Sequence, residues 1–217
     1  MCRKLMNNPA SERLLLGGTA PEVVTGVVEL GTALIGHSHP SSEVLERRLA
    51  RSPESLAVIM TPREGELRVL AYSLVYPLTA QAVERIVALQ IRSGADLEPD
   101  HLCSAEGAAG FYLAMVANAC RRGLALRLFV SHLSFLVARS CASVLAARTA
   151  TREGALLIRK RGFQKLPDPS QIWLQFIPEG WAGTAVAGKF ELFDVQRMME
   201  KVRSLAVTTD PIDQRSA

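Results

Sequence analysis

The chain has few cysteines and no long apolar run, and these two shortages limit what it can be. Its four cysteines, at positions 2, 103, 120 and 141, are scattered and form no C-x-x-C pair. They are too few for a disulfide framework, so reduced thiols are expected. No uninterrupted apolar run reaches the roughly 18 residues of a membrane span, so no membrane partner is expected. The apolar block at residues 14–16 is too short for a signal-peptide core, which predicts a cytoplasmic protein.

Dense blocks of basic residues are also missing, although the chain carries a small positive excess. Twenty-five lysines and arginines against 21 aspartates and glutamates give a formal net charge of +4. Without Lys/Arg clusters of the kind found in nucleic-acid-binding arms, no nucleic-acid partner is expected. The mild excess suits a small anionic ligand. With 217 residues, of which 48% are hydrophobic, the chain is long enough to bury a real core.

No internal repeat or low-complexity segment divides the chain, so one domain is expected. Residues 1–21 contain several turn-forming Asn, Gly and Pro residues, which predict an N-terminal extension and a first ordered element near Glu22. Residues 22–204 are assigned to the single domain and residues 205–217 to a polar tail.

The first half of the domain is predicted to contain three helices and two strands. Apolar residues at helical spacing begin after Glu22, and Ser41 or Ser42 can cap a second helix. Residues 56–60 and 67–76 are rich in β-branched and aromatic side chains, which favours two antiparallel strands. The residue after Leu78 is a threonine that can cap a third helix.

The second half of the domain alternates between strands and helices. Residues 110–119 form a near-continuous apolar run, typical of a strand buried on both faces in the middle of a sheet. Helical periodicity follows within residues 120–140. A short strand at 143–149, a short helix at 151–161 and a strand at 171–177 complete the order. This order predicts an α+β fold with a mixed, mostly antiparallel central sheet flanked by helices.

Three local features of this order point to one family. The strand at 110–119 runs into the turn CRRGLA (120–125), which fits the pattern Gln/Arg-x-x-Gly-x-Gly/Ala except at its first residue. The helix at 151–161 ends at Gly-Phe (162–163), and a meander of two strands plus a helix precedes the central strand. In these features the chain resembles the GNAT superfamily of acyl-CoA-dependent N-acyltransferases, over roughly residues 22–177.

The resemblance implies a GNAT-like fold and acetyl-CoA as cosubstrate. A helix N-terminus exposes unpaired N–H groups and a partial positive charge, and glycine lets a pyrophosphate approach the backbone closely. The CoA pyrophosphate is therefore expected at the turn. The cofactor-binding residues expected there are Arg121, Arg122, Gly123, Leu124, Ala125 and Leu126. A solvated helix start without a ligand is the alternative interpretation of the same string.

Transfer from a thioester to an amine needs a base, hydrogen-bond donors for the thioester oxygen and a proton for the leaving sulfur. The resemblance places the donor on the central strand, among the backbone N–H groups around Val116 and Asn118. Glu106, just before that strand, is the candidate base, and an ordinary loop residue is the alternative. Ile158 stands where many family members have a tyrosine acid, so the proton is not expected to come from the distal helix.

The histidines and tyrosines outside these motifs are mostly interpreted as loop or core residues. His37 and His39 lie two apart, but no third ligand lies at zinc-like spacing, so a polar loop is expected and no metal cofactor. Tyr72 and Tyr76 share one face of their strand, either as core residues or as the lining of an acceptor pocket. His132 is expected to be partly buried or solvent-facing on its amphipathic helix.

The sequence therefore predicts an acetyl-CoA-dependent N-acetyltransferase that transfers acetyl directly to an amine of a small molecule or a protein. A GNAT-fold module that binds acyl-CoA or a protein partner without efficient catalysis is the alternative, and the missing tyrosine is its support. An enzyme resembling acyl-homoserine-lactone synthases is a third interpretation, with no motif in its favour. Oligomeric state, including a homodimer, is left open.

Overall fold

The computed structural model describes residues 13–17, 19–36, 39–63, 66–119, 124–149, 152–166 and 172–177. Within these residues the strands are β1 (Arg13–Leu16), β2 (Leu56–Arg63), β3 (Glu66–Leu78), β4 (Gly110–Asn118), β5 (Val144–Arg148), β6 (Gln164–Lys165) and β7 (Ile172–Phe176). The α-helices are α1 (Pro21–Ile35), α2 (Ser42–Arg51), α3 (Ala80–Val87), α4 (Leu124–Val137) and α5 (Arg152–Lys160). Single turns of 3-10 helix lie at Pro53–Ser55, Gly94–Asp96, Pro99–His101 and Ala105–Gly107.

The strands form one seven-stranded sheet in the order β1-β2-β3-β4-β5-β7-β6. Every neighbouring pair is antiparallel except β4 with β5, which is parallel. The predicted mixed, mostly antiparallel sheet is therefore confirmed. The long apolar run of β4 lies in the middle of the sheet, between β3 and β5, as expected for a strand with a neighbour on each edge.

Two strands differ from the sequence prediction. The prediction that the first ordered element begins near Glu22 is wrong, because β1 precedes α1 and pairs with β2 from Arg13↔Met60 to Leu16↔Ala57. The sheet thus begins within the residues predicted to be an extension. The two-residue strand β6 was also not predicted. Neither segment is long enough to show a clear alternation of apolar and polar residues.

Helix starts follow the capping residues that the sequence offers. Ser41 caps α2, and its hydroxyl oxygen accepts the Val44 N–H at 3.4 Å. Thr79 caps α3 in the same way, accepting the Ala82 N–H at 3.2 Å. Both side chains satisfy an amide that has no partner within its helix. The capping predictions for α2 and α3 are confirmed.

Apolar side chains pack on both faces of the sheet. On one face, Tyr72, Leu74 and Tyr76 of β3 belong to a cluster with buried residues of α1, α2 and α3. On the other face, Phe111 of β4 belongs to a cluster with Leu136 and neighbouring residues of α4. The sheet therefore separates two helix layers, and β4 has buried side chains in both.

His132 corrects an expectation for α4. It is 1% exposed rather than partly buried or solvent-facing. Its Nε2 lies 2.7 Å from the Glu54 carbonyl oxygen, so Nε2 carries the proton and donates it there. Its Nδ1 then accepts from the Ser73 hydroxyl at 3.0 Å. Because burial disfavours the charged form, the pKa of His132 falls to about 4 and the imidazole is neutral at pH 7.

Candidate functional site

Strands β4 and β5, in the middle of the sheet, separate halfway along β4. Parallel pairing with β5 runs from Gly110↔Val144 to Leu113↔Ala147. Beyond Leu113, β4 continues to Asn118 and stays paired with β3 on its other edge. Within the part of the chain that the structure describes, the β5-facing edge of residues 114–118 has no strand partner. An open edge in the middle of a sheet is thus the main irregularity of this fold.

A β-bulge lies where the separation begins. Met115 pairs with Leu74 and Leu113 pairs with Val75, so Ala114 is an extra residue opposite β3. A bulge bends its strand and increases the local twist. Since Ala114 directly follows the last residue of β4 that pairs with β5, this bend gives a physical reason for the separation.

The open edge carries backbone donors at the two strand positions that were predicted. The Ala119 N–H donates to the Leu70 carbonyl of β3 at 2.9 Å. Because successive N–H groups alternate between the two edges of a strand, those of Asn118 and Val116 point away from β3, toward the open edge. The Val116 side chain is also 38% exposed, which is unusual for a central strand. The open edge therefore presents these two amides to any group that approaches it.

The N-terminus of α4 lies beside the same end of β4. The strand ends at Asn118 and the helix begins at Leu124. The predicted residues Arg121, Arg122 and Gly123 fall outside the described residues. Leu124 begins the helix, and the half-buried Ala125 and Leu126 follow in its first turn. The first helical amides, which lack partners within the helix, therefore follow the open edge by only a few residues.

Glu106, the candidate base, lies elsewhere. It belongs to the 3-10 turn before β4, at the end of the strand opposite to the open edge. Its exposed carboxylate accepts a hydrogen bond from Arg139, just after α4. A hydrogen bond from its own backbone and that from Arg139 lower the pKa of the Glu106 carboxyl. The structure thus separates Glu106 from the amides of Val116 and Asn118.

A buried polar group lies near the bulge, beneath the connection between α1 and α2. Tyr72 Oη donates to Met115 Sδ at 2.8 Å, and Met115 adjoins the bulged Ala114. The His39 ring meets the Tyr72 ring edge-on, with centroids 5.9 Å apart. His39 Nδ1 lies 2.7 Å from the Pro40 carbonyl oxygen, which assigns the proton to Nδ1. His39 Nε2 is buried and has no hydrogen-bond partner among the described residues.

The free Nε2 makes His39 a second candidate base. Burial lowers the pKa of the imidazole, although the bond to Pro40 opposes this, so the neutral form is favoured. From the sequence, this histidine was expected only in a polar loop, and a metal-ligand role was weighed and set aside. A glycine near the end of α1 was the one available signal, because a Cβ on Gly31 would overlap the His39 ring and lie 2.6 Å from Tyr72 Oη.

The remaining tyrosines are core residues that hold their protons. Tyr72 and Tyr76 do share one face of β3, as predicted, and both are fully buried. Burial raises the pKa of each. Tyr112, opposite Tyr76 on β4, has its pKa raised to about 12, mainly by burial. Ile158 of α5 packs against the cluster of Phe111 and cannot donate a proton.

Among the described residues, no group of three or more His, Cys, Asp or Glu side chains is placed to hold a metal ion. A search of the same residues found no helix long and apolar enough to cross a membrane.

No family model and no curated protein matches the sequence. Solved structures with a similar fold include Ard1 from Thermoplasma volcanium, with 12% identity, a TM-score of 0.49 and coverage of 78% of this chain and 99% of that one. Arabidopsis thaliana NAA60 in complex with acetyl-CoA has 12% identity, a TM-score of 0.47 and coverage of 77% and 99%. A GNAT-family acetyltransferase from Listeria monocytogenes has 9% identity, a TM-score of 0.46 and coverage of 76% and 91%. At such identities these similarities concern the fold alone.

Proposed function

We propose that this chain is an acetyl-CoA-dependent N-acetyltransferase of the GNAT type, which transfers acetyl directly to an amine. The observation that carries this proposal is the open edge of β4. There, a bulge at Ala114, the outward amides of Val116 and Asn118 and the start of α4 lie close together in one region. A sheet opened in its middle beside a helix N-terminus suits an extended ligand that ends in a pyrophosphate.

The pantetheine arm and the pyrophosphate of CoA each have a complementary group in this arrangement. The pantetheine arm contains amides, which can pair with the Val116 carbonyl and the Asn118 N–H as an added strand would, while the Val116 N–H is left for the thioester oxygen. The pyrophosphate is assigned to the turn and first helical residues, from Arg121 to Leu126. There, helix amides and two arginines favour negative charge. The acetyl thioester is then held near the bulge.

The reaction needs two things from the protein, a hydrogen-bond donor for the carbonyl oxygen and a base for the amine proton. The amine attacks the thioester carbonyl carbon, a C–N bond forms, the C–S bond breaks, and the CoA thiolate leaves. The Val116 N–H stabilises the negative charge that develops on the carbonyl oxygen. The amine proton passes to a base, and the leaving thiolate takes a proton from solvent. A free thiol has a pKa of about 8.5, so departure without a tyrosine acid is chemically feasible.

Two candidate bases are compared by substitution. Glu106 is the base predicted from the sequence, and His39 is the one that the geometry adds. We expect Glu106→Gln to reduce kcat/KM by less than His39→Gln, because Glu106 is exposed and lies at the other end of β4. Equal losses in the two folded variants would contradict this ranking.

The binding part of the proposal is tested by calorimetry with CoA. We expect Gly123→Glu to weaken CoA binding sharply, because the new carboxylate would repel the pyrophosphate and occupy the space that glycine leaves. Gly107→Glu is the matched control, since it adds the same charge in the turn before β4, where a Cβ meets only Ser104 Oγ at 3.8 Å. An unchanged CoA affinity in a folded Gly123→Glu variant would overturn the assignment of the pyrophosphate site.

A second candidate function is a module that binds acyl-CoA without efficient turnover. The observation that favours it is Ile158, which offers no proton at the position of the family's tyrosine. Assays of acetyl-CoA with a panel of small amines and peptide N-termini separate the two functions. Tight CoA binding without transfer to any acceptor would support the module.

A further inference from the structure

A small cavity lies between α2 and the segment that joins α3 to β4. Its volume is about 70 Å³, and its lining includes Arg47, Arg48 and Glu98 together with the apolar side chains of Val44, Leu97 and Pro99. A single buried water needs only about 10–15 Å³, so there is room for a small ligand group. None of these residues belongs to the cleft beside β4 described above.

Arg48 is the unusual member of this lining, because it is a buried charge. The residue is 5% exposed. Its Nη2 donates to the Ala95 carbonyl oxygen at 3.2 Å, and its guanidinium carbon lies 5.5 Å from the centre of the Tyr76 ring. No carboxylate forms an ion pair with Arg48 among the residues that the structure describes. One carbonyl and one aromatic face offset only part of the cost of burying a charge, so the site lacks an anion.

The other charged residues of the cavity do not supply that anion. Arg47, an exposed residue next to Arg48 in sequence, also belongs to the lining and adds a second positive charge there. Glu98 is the only acidic residue in the lining, and among the described residues its carboxylate forms no ion pair with Arg47 or Arg48. Two arginines therefore line a cavity whose one carboxylate pairs with neither of them.

We propose that this cavity binds the carboxylate group of a small organic acid, with Arg48 as the buried ligand and Arg47 as the second. A carboxylate matches the planar fork of a guanidinium, and its short aliphatic stem would contact Val44, Leu97 and Pro99. A phosphate carries more negative charge than a carboxylate and would lie beside the Glu98 carboxylate of the lining, so the monoanion is favoured. The inference does not depend on the proposed acetyl transfer.

The test uses propionate as the probe and propionamide, its neutral isostere, as the ligand control. At constant ionic strength, we expect propionate to raise the Tm of the full chain and to bind by saturation-transfer NMR, whereas propionamide does neither. Inorganic phosphate at the same concentration is the third arm. Equal responses to propionate and propionamide, or a stronger response to phosphate, would overturn the carboxylate assignment.

Variants connect the binding to the two arginines. Because charge-assisted hydrogen bonds are the stronger kind, we expect Arg47→Gln to weaken propionate binding roughly tenfold and Arg48→Met to abolish it. Arg92→Gln is the matched control, as Arg92 is exposed, lies outside the lining and has the same charge. If Arg48→Met does not fold, Arg47→Gln still decides the question. Equal weakening in Arg47→Gln and Arg92→Gln would show a net-charge effect and overturn the site.

Discussion

The missing Cβ of Gly31 allows the α1–α2 connection to approach the sheet closely. Gly31 has no Cβ, and this absence lets the His39 ring lie against α1 directly above the Tyr72 hydroxyl. The same close packing buries His39 Nε2 without a partner. A glycine within a helix costs stability relative to alanine. Here the glycine leaves the space that the ring of the candidate base His39 occupies.

Gly31→Ala should therefore lower stability rather than raise it. The added methyl would overlap the His39 ring and displace it, so we expect a loss of about 1–3 kcal/mol, as for overpacked cores. Urea unfolding measures this change. Gly107→Ala is the control and should stay within about 0.5 kcal/mol, because its Cβ meets only an ordinary contact. A Gly31→Ala variant as stable as the control would contradict the close packing.

At the scale of elements, β4 holds two sets of backbone groups with different tasks. The amides of Met115 and Ala117 face β3 and hold the sheet together, whereas those of Val116 and Asn118 face the open edge. One strand thus supports the fold with one edge and offers donors with the other. This division allows the two tasks to be changed separately.

Val116→Pro should impair catalysis while leaving the chain folded. Proline removes the N–H, and at Val116 that N–H does not serve the β3 pairing, which is the condition under which strands tolerate proline. Because one oxyanion donor is lost, we expect kcat to fall by about 10²–10³-fold. Val116→Ala keeps the N–H and is the control. The proposed role of this amide would be wrong if a folded Val116→Pro variant kept the activity of Val116→Ala.

The absence of a tyrosine at position 158 of helix α5 predicts how kcat/KM depends on pH. Ile158 packs in the core and cannot supply a proton, so no tyrosine acid on α5 limits the rate at alkaline pH. We expect kcat/KM to rise with pH as the acceptor amine deprotonates, without the fall that a tyrosine of pKa about 10 would cause. A profile measured from pH 6 to pH 10 checks this. A fall above pH 8 in a folded enzyme would indicate another acid.

At the scale of the whole molecule, His132 joins three separate parts of the chain. It lies on α4, bonds to Ser73 of β3, and bonds to the Glu54 carbonyl in the turn before β2. The helix layer on this face of the sheet is thus connected to strand β3 and to the turn before β2 through one neutral, fully buried ring. Such a connection depends on protonation, because an imidazolium cannot accept the Ser73 hydroxyl proton.

This connection predicts how stability depends on pH. The pKa of His132 is about 4 in the folded chain and near 6.5 in the unfolded chain, so below pH 6.5 the unfolded state binds the proton first. The stabilisation is therefore complete above about pH 6.5 and is lost as the pH falls toward 4. Between pH 7 and pH 5 we expect a loss of about 2 kcal/mol from this group. Urea titrations at the two pH values measure it.

His132→Gln provides the comparison, because its amide can still donate to Glu54 but does not titrate. The variant should be less stable than the parent at pH 7 and should lose less stability on going to pH 5. Parallel pH dependences in the two proteins would refute the assignment to His132.

Most of the elements and the general architecture could be predicted from the sequence alone, although strands β1 and β6 could not. Caps at Ser41 and Thr79, the apolar run of β4 and the stop at Gly162, where φ is +88°, are local signals that do not need the rest of the chain. The turn after β4 was a local signal too. It gave the expected position of the pyrophosphate, which stays a prediction because residues 120–123 lie outside the described structure.

Where the sheet opens and which polar groups are buried depend on contacts between segments that are distant in the chain. The bulge at Ala114 depends on the register between β3 and β4, which is set by residues about 40 positions apart in the chain. The burial of His132 and Arg48, and the free nitrogen of His39, likewise depend on what packs against them. The spacing of apolar residues predicts which face of a helix or strand is buried, but it does not predict which other element packs against that face. The candidate site was therefore only partly readable from the sequence, because its cleft and its buried polar groups arise where distant segments meet.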